Sequence, residues 1–400
     1  MNLVTLRIDS IPLGQPLPFV LRGADGSLLA QKGFVIRNRE ELAKLVLRGR
    51  DLCVDTDESG ESHRAYLAQL QRMLSADTAL GEIASMKMTA AEHTGSARGG
   101  KALPAWAELQ LQATQILRSP AASDFAGRFQ ALHEELARHC EHTPDATLLA
   151  LIYLSAQETR MYSATHAMLV SCVCMVVARE MLRWPVGQVQ QAGQAALSMN
   201  IAMTELQDQL AQQTQPLTSV QIDAVHDHAA QSQTLLRQLG VADPVWLEAV
   251  NHHHHRAPGP LAKKSEALQI ARLIQRADVF GARLAPRASR WPMPVTAAMQ
   301  ASYYDEEHKV DEAGAALVKT LGVYPPGAFV RLASQEVGVV IRRGATATTP
   351  KVAVVTNRDG MPTGEPIPRD TSMPPWKITG VVAFKDIRVS LPLDRLLQLV

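Results

Sequence analysis

Four consecutive imidazoles, His252-His253-His254-His255, stand between two apolar segments of the chain. Neutral imidazole offers one nitrogen lone pair to a cation near pH 7, so such a run is either a solvated polar loop or part of a metal site that draws ligands from several helices. It is internal and flanked by helical segments, unlike a purification tag. Three further groups have the chemistry to join it. His166 follows Tyr162-Ser163-Ala164-Thr165 at the start of an apolar helix, His228 lies in His226-Asp227-His228, and Asp278 ends Arg276-Ala277-Asp278. Taken singly, each has a bland explanation: a lone His is more often a packed or surface residue, and an Asp at this position usually caps or is solvated. Arg287 and Arg290 are three residues apart. On a helix they would share a face and could receive one phosphate, although Pro286 and Pro292 around them also fit a loop.

These residues must be positioned by helices. From Trp106 to about Leu321, apolar residues recur at three- and four-residue spacing in segments near 105–117, 124–140, 146–157, 162–183, 187–199, 219–239, 244–252, 266–283 and 308–321. Trp184-Pro185, Gly240 and Asp243-Pro244 mark joints between them. Before this, residues 1–73 read as a small α+β module. Val4 to Ile8 alternates as a strand would, Ala24-Asp25-Gly26 is a hairpin turn, and Arg39 to Leu47 has helical spacing. Residues 74–104 are polar and Gly-rich around Ala91 to Gly100, the composition of a flexible linker. After residue 325 the period changes to two. Strands are expected at 328–332, 337–341, 351–355, 381–384 and 387–389, with a turn at Asn357-Arg358-Asp359-Gly360 and a short helix over 394–399. The expected fold is mainly α: a helical domain over 105–325 with a β-rich extension over 326–400.

Composition excludes some functions. Net charge is +1, which argues against nucleic-acid binding through bulk charge. Four cysteines, at 53, 140, 172 and 174, are too few and scattered for a disulfide framework, and Cys172 and Cys174 lie in an apolar run where buried thiols are ordinary. No leader-like segment opens the chain. The longest apolar run, Ala167 to Ala178, is too short to span a bilayer, so a cytoplasmic protein without a membrane span is expected.

Taken together, residues from about Ala156 to Gly360 resemble the HD-GYP family of metal-dependent cyclic di-GMP phosphodiesterases, within the HD superfamily. Beyond the histidines, Arg287-Ala288-Ser289-Arg290 matches the family's paired arginines. Leu321-Gly322-Val323-Tyr324-Pro325-Pro326-Gly327-Ala328-Phe329-Val330-Arg331-Leu332 matches its LGxYPPGxxVRL stretch, followed by Glu336 to Val340. The resemblance implies a helical HD-type domain whose ligands clasp two or three iron or manganese ions. His166, His228, His253, His254 and Asp278 would be ligands, and Arg287 and Arg290 would hold phosphate oxygens.

The chain departs from this pattern at the family's eponymous pair. Met199 stands for the His, Asn200 for the bridging Asp, and Met203 for the Lys that would act on the leaving group. A thioether is a soft ligand for hard divalent ions, and a neutral amide lacks the charge that holds two cations together. His255 replaces the Glu after the His pair, the GYP signature is reduced to Arg256-Ala257-Pro258-Gly259-Pro260, and Tyr162 occupies the position where three-metal members carry an acid. The surviving ligands suffice for one divalent ion, iron or manganese, and a two-metal site is not expected. The expected function is therefore a non-hydrolysing regulatory or scaffold protein of cyclic di-GMP signalling, with a cyclic dinucleotide and signalling proteins as its partners. The alternative is an active phosphodiesterase with an altered metal site.

Overall fold

The computed structural model describes residues 106–400 except 122–123, 158, 257 and 388–392. Of the first 105 residues it describes 3–5, 17, 20–23, 25–30, 36, 41–42, 45 and 52–55. The expected linker over 74–104 and most of the expected strand and helix boundaries before it lie outside the described residues. By packing, the chain divides into residues 1–101 and 102–400.

In the first unit, β1 (Leu3–Thr5), β2 (Leu21–Gly23), β3 (Leu28–Ala30) and β4 (Leu52–Asp55) form an antiparallel sheet in the order β1-β4-β2-β3. The expected hairpin is present. Gly26 turns at φ 83°, and Asp25 Oδ1 accepts from the Ser27 amide at 3.0 Å. Leu17, Leu21, Ile36, Leu42 and Leu52 form a small core.

The second unit is helical: α1 (Trp106–Arg118), α2 (Phe125–His142), α3 (Pro144–Ser155), α4 (Tyr162–Glu180), α5 (Val186–Ser198), α6 (Thr204–Gln212), α7 (Ser219–Gln238), α8 (Pro244–His252), α9 (Glu266–Leu284), α10 (Val295–Tyr303) and α11 (Glu312–Leu321). Helix α4 lies at its centre. Val170, Val173, Val176 and Val177 are fully buried, as are Cys172 and Cys174, because α4 is apolar on every side and is wrapped by its neighbours. It is long and apolar enough to cross a membrane by length and composition, and its side chains are buried within the protein. All four cysteines are buried, and Cys140, Cys172 and Cys174 are free thiols.

Two helices, α6 and α10, were not apparent in the sequence. Each is nine residues long, too short to show a sustained period among polar neighbours.

The chain then forms an antiparallel five-stranded sheet, β8-β7-β6-β5-β9, from β5 (Phe329–Leu332), β6 (Val337–Arg342), β7 (Lys351–Thr356), β8 (Pro362–Asp370) and β9 (Ile378–Val382), and ends in α12 (Leu393–Leu397). The strand β8 escaped the sequence reading because Pro362, Pro366 and Pro368 break its pattern. Such residues are tolerated at a sheet edge, which is where β8 lies. Alternation along the inner strands divides the sheet between two cores. Phe329, Val339, Ile341, Ala353 and Val355 join the helical core, and Val330, Leu332, Val340, Val352 and Val354 form a second cluster on the other side.

The join from α11 to β5 explains why the LGVYPPG stretch needs its glycines. Gly322 and Gly327 have φ of 84° and 87°. A Cβ on Gly327 would meet Ile152 Cγ2 at 2.7 Å, so only glycine lets this turn rest on α3. Arg343, just past β6, then donates to Asp145 at 2.6 Å and to Glu180 at 2.6 Å, locking the sheet to the ends of α3 and α4.

Candidate metal centre

His166 sits one turn inside α4, so the position of that helix end fixes the imidazole. The exposed amides of a helix start require acceptors. Here Asp208, from α6, supplies them: its carboxylate accepts from Ser163 N at 2.8 Å and Ser163 Oγ at 2.9 Å, and from Arg118 at 2.7 and 2.9 Å. A carboxylate also suits the positive end of the helix dipole.

From this position His166 Nε2 donates to Asp278 Oδ1 at 2.7 Å. An ionised carboxylate only accepts, so Nε2 carries the hydrogen. The other ring nitrogen, Nδ1, is buried without a partner among the described residues. Gly281, three residues beyond Asp278 on α9, makes room for this ring, and a Cβ there would lie 3.1 Å from it. Tyr162 stacks parallel to His166, with ring centres 5.6 Å apart, and its hydroxyl accepts from Arg287 Nη2 at 3.1 Å. Burial works to raise the Asp278 carboxyl, but the His166 hydrogen bond and the nearby imidazoles of His166, His254 and His253 together outweigh it and hold the group well below the usual carboxylate range. Asp278 is therefore an anion at neutral pH.

The other three candidate ligands converge separately. Helix α7 begins with a capping box, Thr218 with Gln221, and carries His228 in its middle. Helix α8 is capped by Asp243 at the Val245 and Trp246 amides and ends at His252, which presents His253 and His254 in the following turn. Gln233 bonds the Leu247 carbonyl at 3.2 Å and joins α7 to α8, while Trp246 Nε1 donates to Ser198 Oγ at 2.8 Å and joins α8 to α5. His228 Nδ1 donates to the Val225 carbonyl, and His253 Nδ1 to the Val250 carbonyl, each at 2.6 Å. A carbonyl cannot donate, so each ring must spend its hydrogen on Nδ1 and leave a bare lone pair on Nε2. Those two lone pairs face each other at 3.1 Å.

Unscreened, this contact is repulsive. Around one cation it is what two adjacent ligands require, since nitrogens at about 2.0–2.1 Å from an ion and roughly 90° apart lie about 3 Å from each other. The His254 ring lies 4.9 Å from that of His228 and 4.1 Å from that of His253, and the three ligand nitrogens fall within 4.8 Å of one another. Donation of the second ring nitrogen to a carbonyl is also the usual way in which a metal-bound imidazole is oriented. Burial, reinforced by His254 and His228, pushes His253 down to about 3, and burial lowers His228 also. Both rings are therefore neutral at pH 7, as ligation requires. The donor set fits one divalent ion.

The five histidine and aspartate candidates thus divide into a triad, His228, His253 and His254, and a hydrogen-bonded pair, His166 and Asp278, in which His166 Nδ1 has no partner among the described residues. Met199 is fully buried in the helical core at the end of α5. Asn200 is buried, and its Oδ1 has no hydrogen-bond partner among the described residues. Met203 is half-buried in the following turn, where its amide bonds the Asn200 carbonyl at 2.9 Å. No negative group occupies these positions.

Arg287 and Arg290 are not on a helix. They close a tight antiparallel turn through mutual backbone bonds of 3.0 and 2.9 Å, because Pro286 and Pro292 exclude helical continuation on both sides. Arg287 lies 5.4 Å from the Tyr162 ring centre, and Arg290 bonds the Ala282 carbonyl. Ala288 N donates to Ala211 O at 2.8 Å, so α6 steadies this turn as well as the start of α4. Asp208 and Gly281 were missed in the sequence. Asp208 lies 45 residues from the amide it caps, and nothing local marks either residue.

No family model matches the chain. It is 27% identical over 245 residues to the cyclic di-GMP phosphodiesterase PA4108 of Pseudomonas aeruginosa, a match covering 60% of this chain. The chain spans about half the length of that relative, 56%. Among solved structures it is similar to Bd1817, a HDG"Y"P protein from Bdellovibrio bacteriovorus, at 15% identity and a TM-score of 0.44 over 79% of this chain and 98% of that one. That likeness is too low to carry an argument.

Proposed function

We propose that this chain is a divergent member of the HD-GYP family that holds one divalent ion on His228, His253 and His254 and binds a cyclic dinucleotide without hydrolysing it. In this reading it is a regulatory or scaffold component of cyclic di-GMP signalling. The observation that carries it is the 3.1 Å approach of the His228 and His253 Nε2 atoms, with both hydrogens committed to carbonyls on the far sides of the rings. Two neutral rings with these hydrogens repel at that approach, and a shared cation makes it favourable.

A divalent ion held there would supply Lewis acidity towards a phosphoryl oxygen. The chain's own groups provide the rest. Asp278 places a fixed negative charge beside the histidines and so balances part of the ion's charge. Arg287, anchored on Tyr162, and Arg290 in the same turn supply donors for phosphate oxygens. What the chain lacks is the carboxylate that would bridge a second ion, since Asn200 is neutral, and a proton donor for the leaving oxygen, since Met203 has none.

A second reading, residual hydrolysis at one ion, is favoured by the exposure of His254. Three protein ligands with one side open is the arrangement of hydrolytic sites. Incubation with cyclic di-GMP and added iron or manganese separates the two. The proposal expects no linear product and a calorimetric binding signal that weakens at least tenfold in the Arg287→Ala/Arg290→Ala variant. Sustained product release supports the second reading, and no binding heat, or heat unchanged in the double variant, rejects the arginine turn as a phosphate device.

A further inference from the structure

The four-histidine run divides by orientation. His253 is fully buried and, with His254, belongs to the triad, while His252 and His255 are left on the outside. Their ring centres are 4.5 Å apart, with planes at 70°. The backbone between them is fixed, because the His255 amide donates to the His252 carbonyl at 2.8 Å and closes the turn after α8. His252 repeats the device seen inside: its Nδ1 donates to the Glu248 carbonyl at 2.9 Å, which leaves the lone pair on Nε2. Two imidazoles bound to one ion through nitrogens at about 2.1 Å and set at roughly 90° place their ring centres on the order of 4.5 Å apart. The observed spacing is already that of a chelating pair, and convergence of the nitrogens needs only rotation of exposed side chains.

We propose that His252 and His255 form a second, outward-facing site for a divalent transition-metal ion, of the borderline kind that imidazole prefers, such as zinc, nickel or copper. Water completes its coordination, so it binds more weakly than the triad. Its place in the same four-residue run makes it a collection point beside the inner centre. Nothing in this site depends on the triad being filled.

The test is titration of the full-length chain with Zn²⁺ against a chromogenic chelator, together with Cu²⁺ electron paramagnetic resonance. Circular dichroism confirms that each variant is folded. The His252→Ala/His255→Ala variant is expected to bind one ion fewer than the parent, and the ion lost is the weaker. In His228→Ala, which removes the inner centre, a Cu²⁺ signal with two-nitrogen splitting is expected, and it should vanish when His252→Ala and His255→Ala are added. If the outer double variant binds as many ions as the parent, or His228→Ala binds none, the proposal is overturned. If instead the parent and His228→Ala bind the same single ion and the outer variant binds none, the outer site stands and the triad reading fails.

Discussion

His166 and Asp278 are bonded to each other, Nε2 to Oδ1 at 2.7 Å, across 112 residues of chain. The family resemblance implies both as metal ligands; here Asp278 accepts from His166 Nε2, and the Nδ1 lone pair of that ring has no partner among the described residues. His228 and His253 differ in that their Nε2 lone pairs face each other.

Asp208 is expected to matter as much as any candidate ligand, through position alone. Asp208→Ala removes the acceptor of the Ser163 amide and the partner of Arg118 while leaving every imidazole in place. A mostly buried carboxylate with these bonds is worth about 2–4 kcal/mol. Urea denaturation should show a loss of that order, and a smaller loss in a Ser163→Ala variant, which keeps the backbone bond. A stability unchanged within error would show that Asp208 does not hold the start of α4.

Glu306 gives an acid-sensitive tie between α9, which carries Asp278, and the segment before α11. Its carboxylate accepts from Arg272 at 3.2 Å and bonds Arg276. Burial works to raise it, but a backbone amide and the two arginines bring it down to about 2. A carboxyl lowered on folding stabilises above its unfolded pKa, roughly 4.3. That contribution fades as pH falls from there towards 2. The parent should exceed Glu306→Gln by about 1 kcal/mol at pH 7, a modest value because Glu306 is partly exposed and screened. The difference should shrink steadily below about pH 4 in thermal melts and vanish only at pH values below about 2. A difference that stays constant from about pH 5 to about pH 2 would assign the stabilisation to packing rather than charge.

Much of this was legible in the sequence because it depends on local pattern. The period of α4, the glycines of the Leu321 to Gly327 stretch and the alternation in β5 to β7 are each written in consecutive residues. The partition of the site was not. Whether His228 meets His253 rather than His166 depends on how α7, α8 and α9 pack, and whether Nε2 or Nδ1 is free depends on carbonyls three residues back. The arginine turn was ambiguous for a similar reason: Pro286 and Pro292 allow a loop, and the backbone bonds between Arg287 and Arg290 decide it. Helix α6, which caps α4 and steadies that turn, has too few apolar residues to stand out.

Restoring the lost pair should convert the centre. Met199→His/Asn200→Asp offers an imidazole and a bridging carboxylate at the end of α5, and the metal retained after a weak chelator has stripped the outer histidine pair is expected to rise from one ion per chain towards two. Without metal the variant should be less stable, since a buried unpaired carboxylate is costly, and added metal should recover the loss. Activity needs Met203→Lys as well. A double variant that folds but gains no metal would show that these two positions do not face the histidines.

The central claim is one tightly held ion on the triad, and the most direct measurement is the metal content of the parent and of His228→Ala by plasma mass spectrometry. Each protein is loaded with manganese, iron or zinc and then desalted through a weak chelator that strips the outer histidine pair. The account predicts one ion per chain in the parent and none in His228→Ala. Two ions in the parent, none in the parent, or one ion that survives the loss of His228 would contradict it.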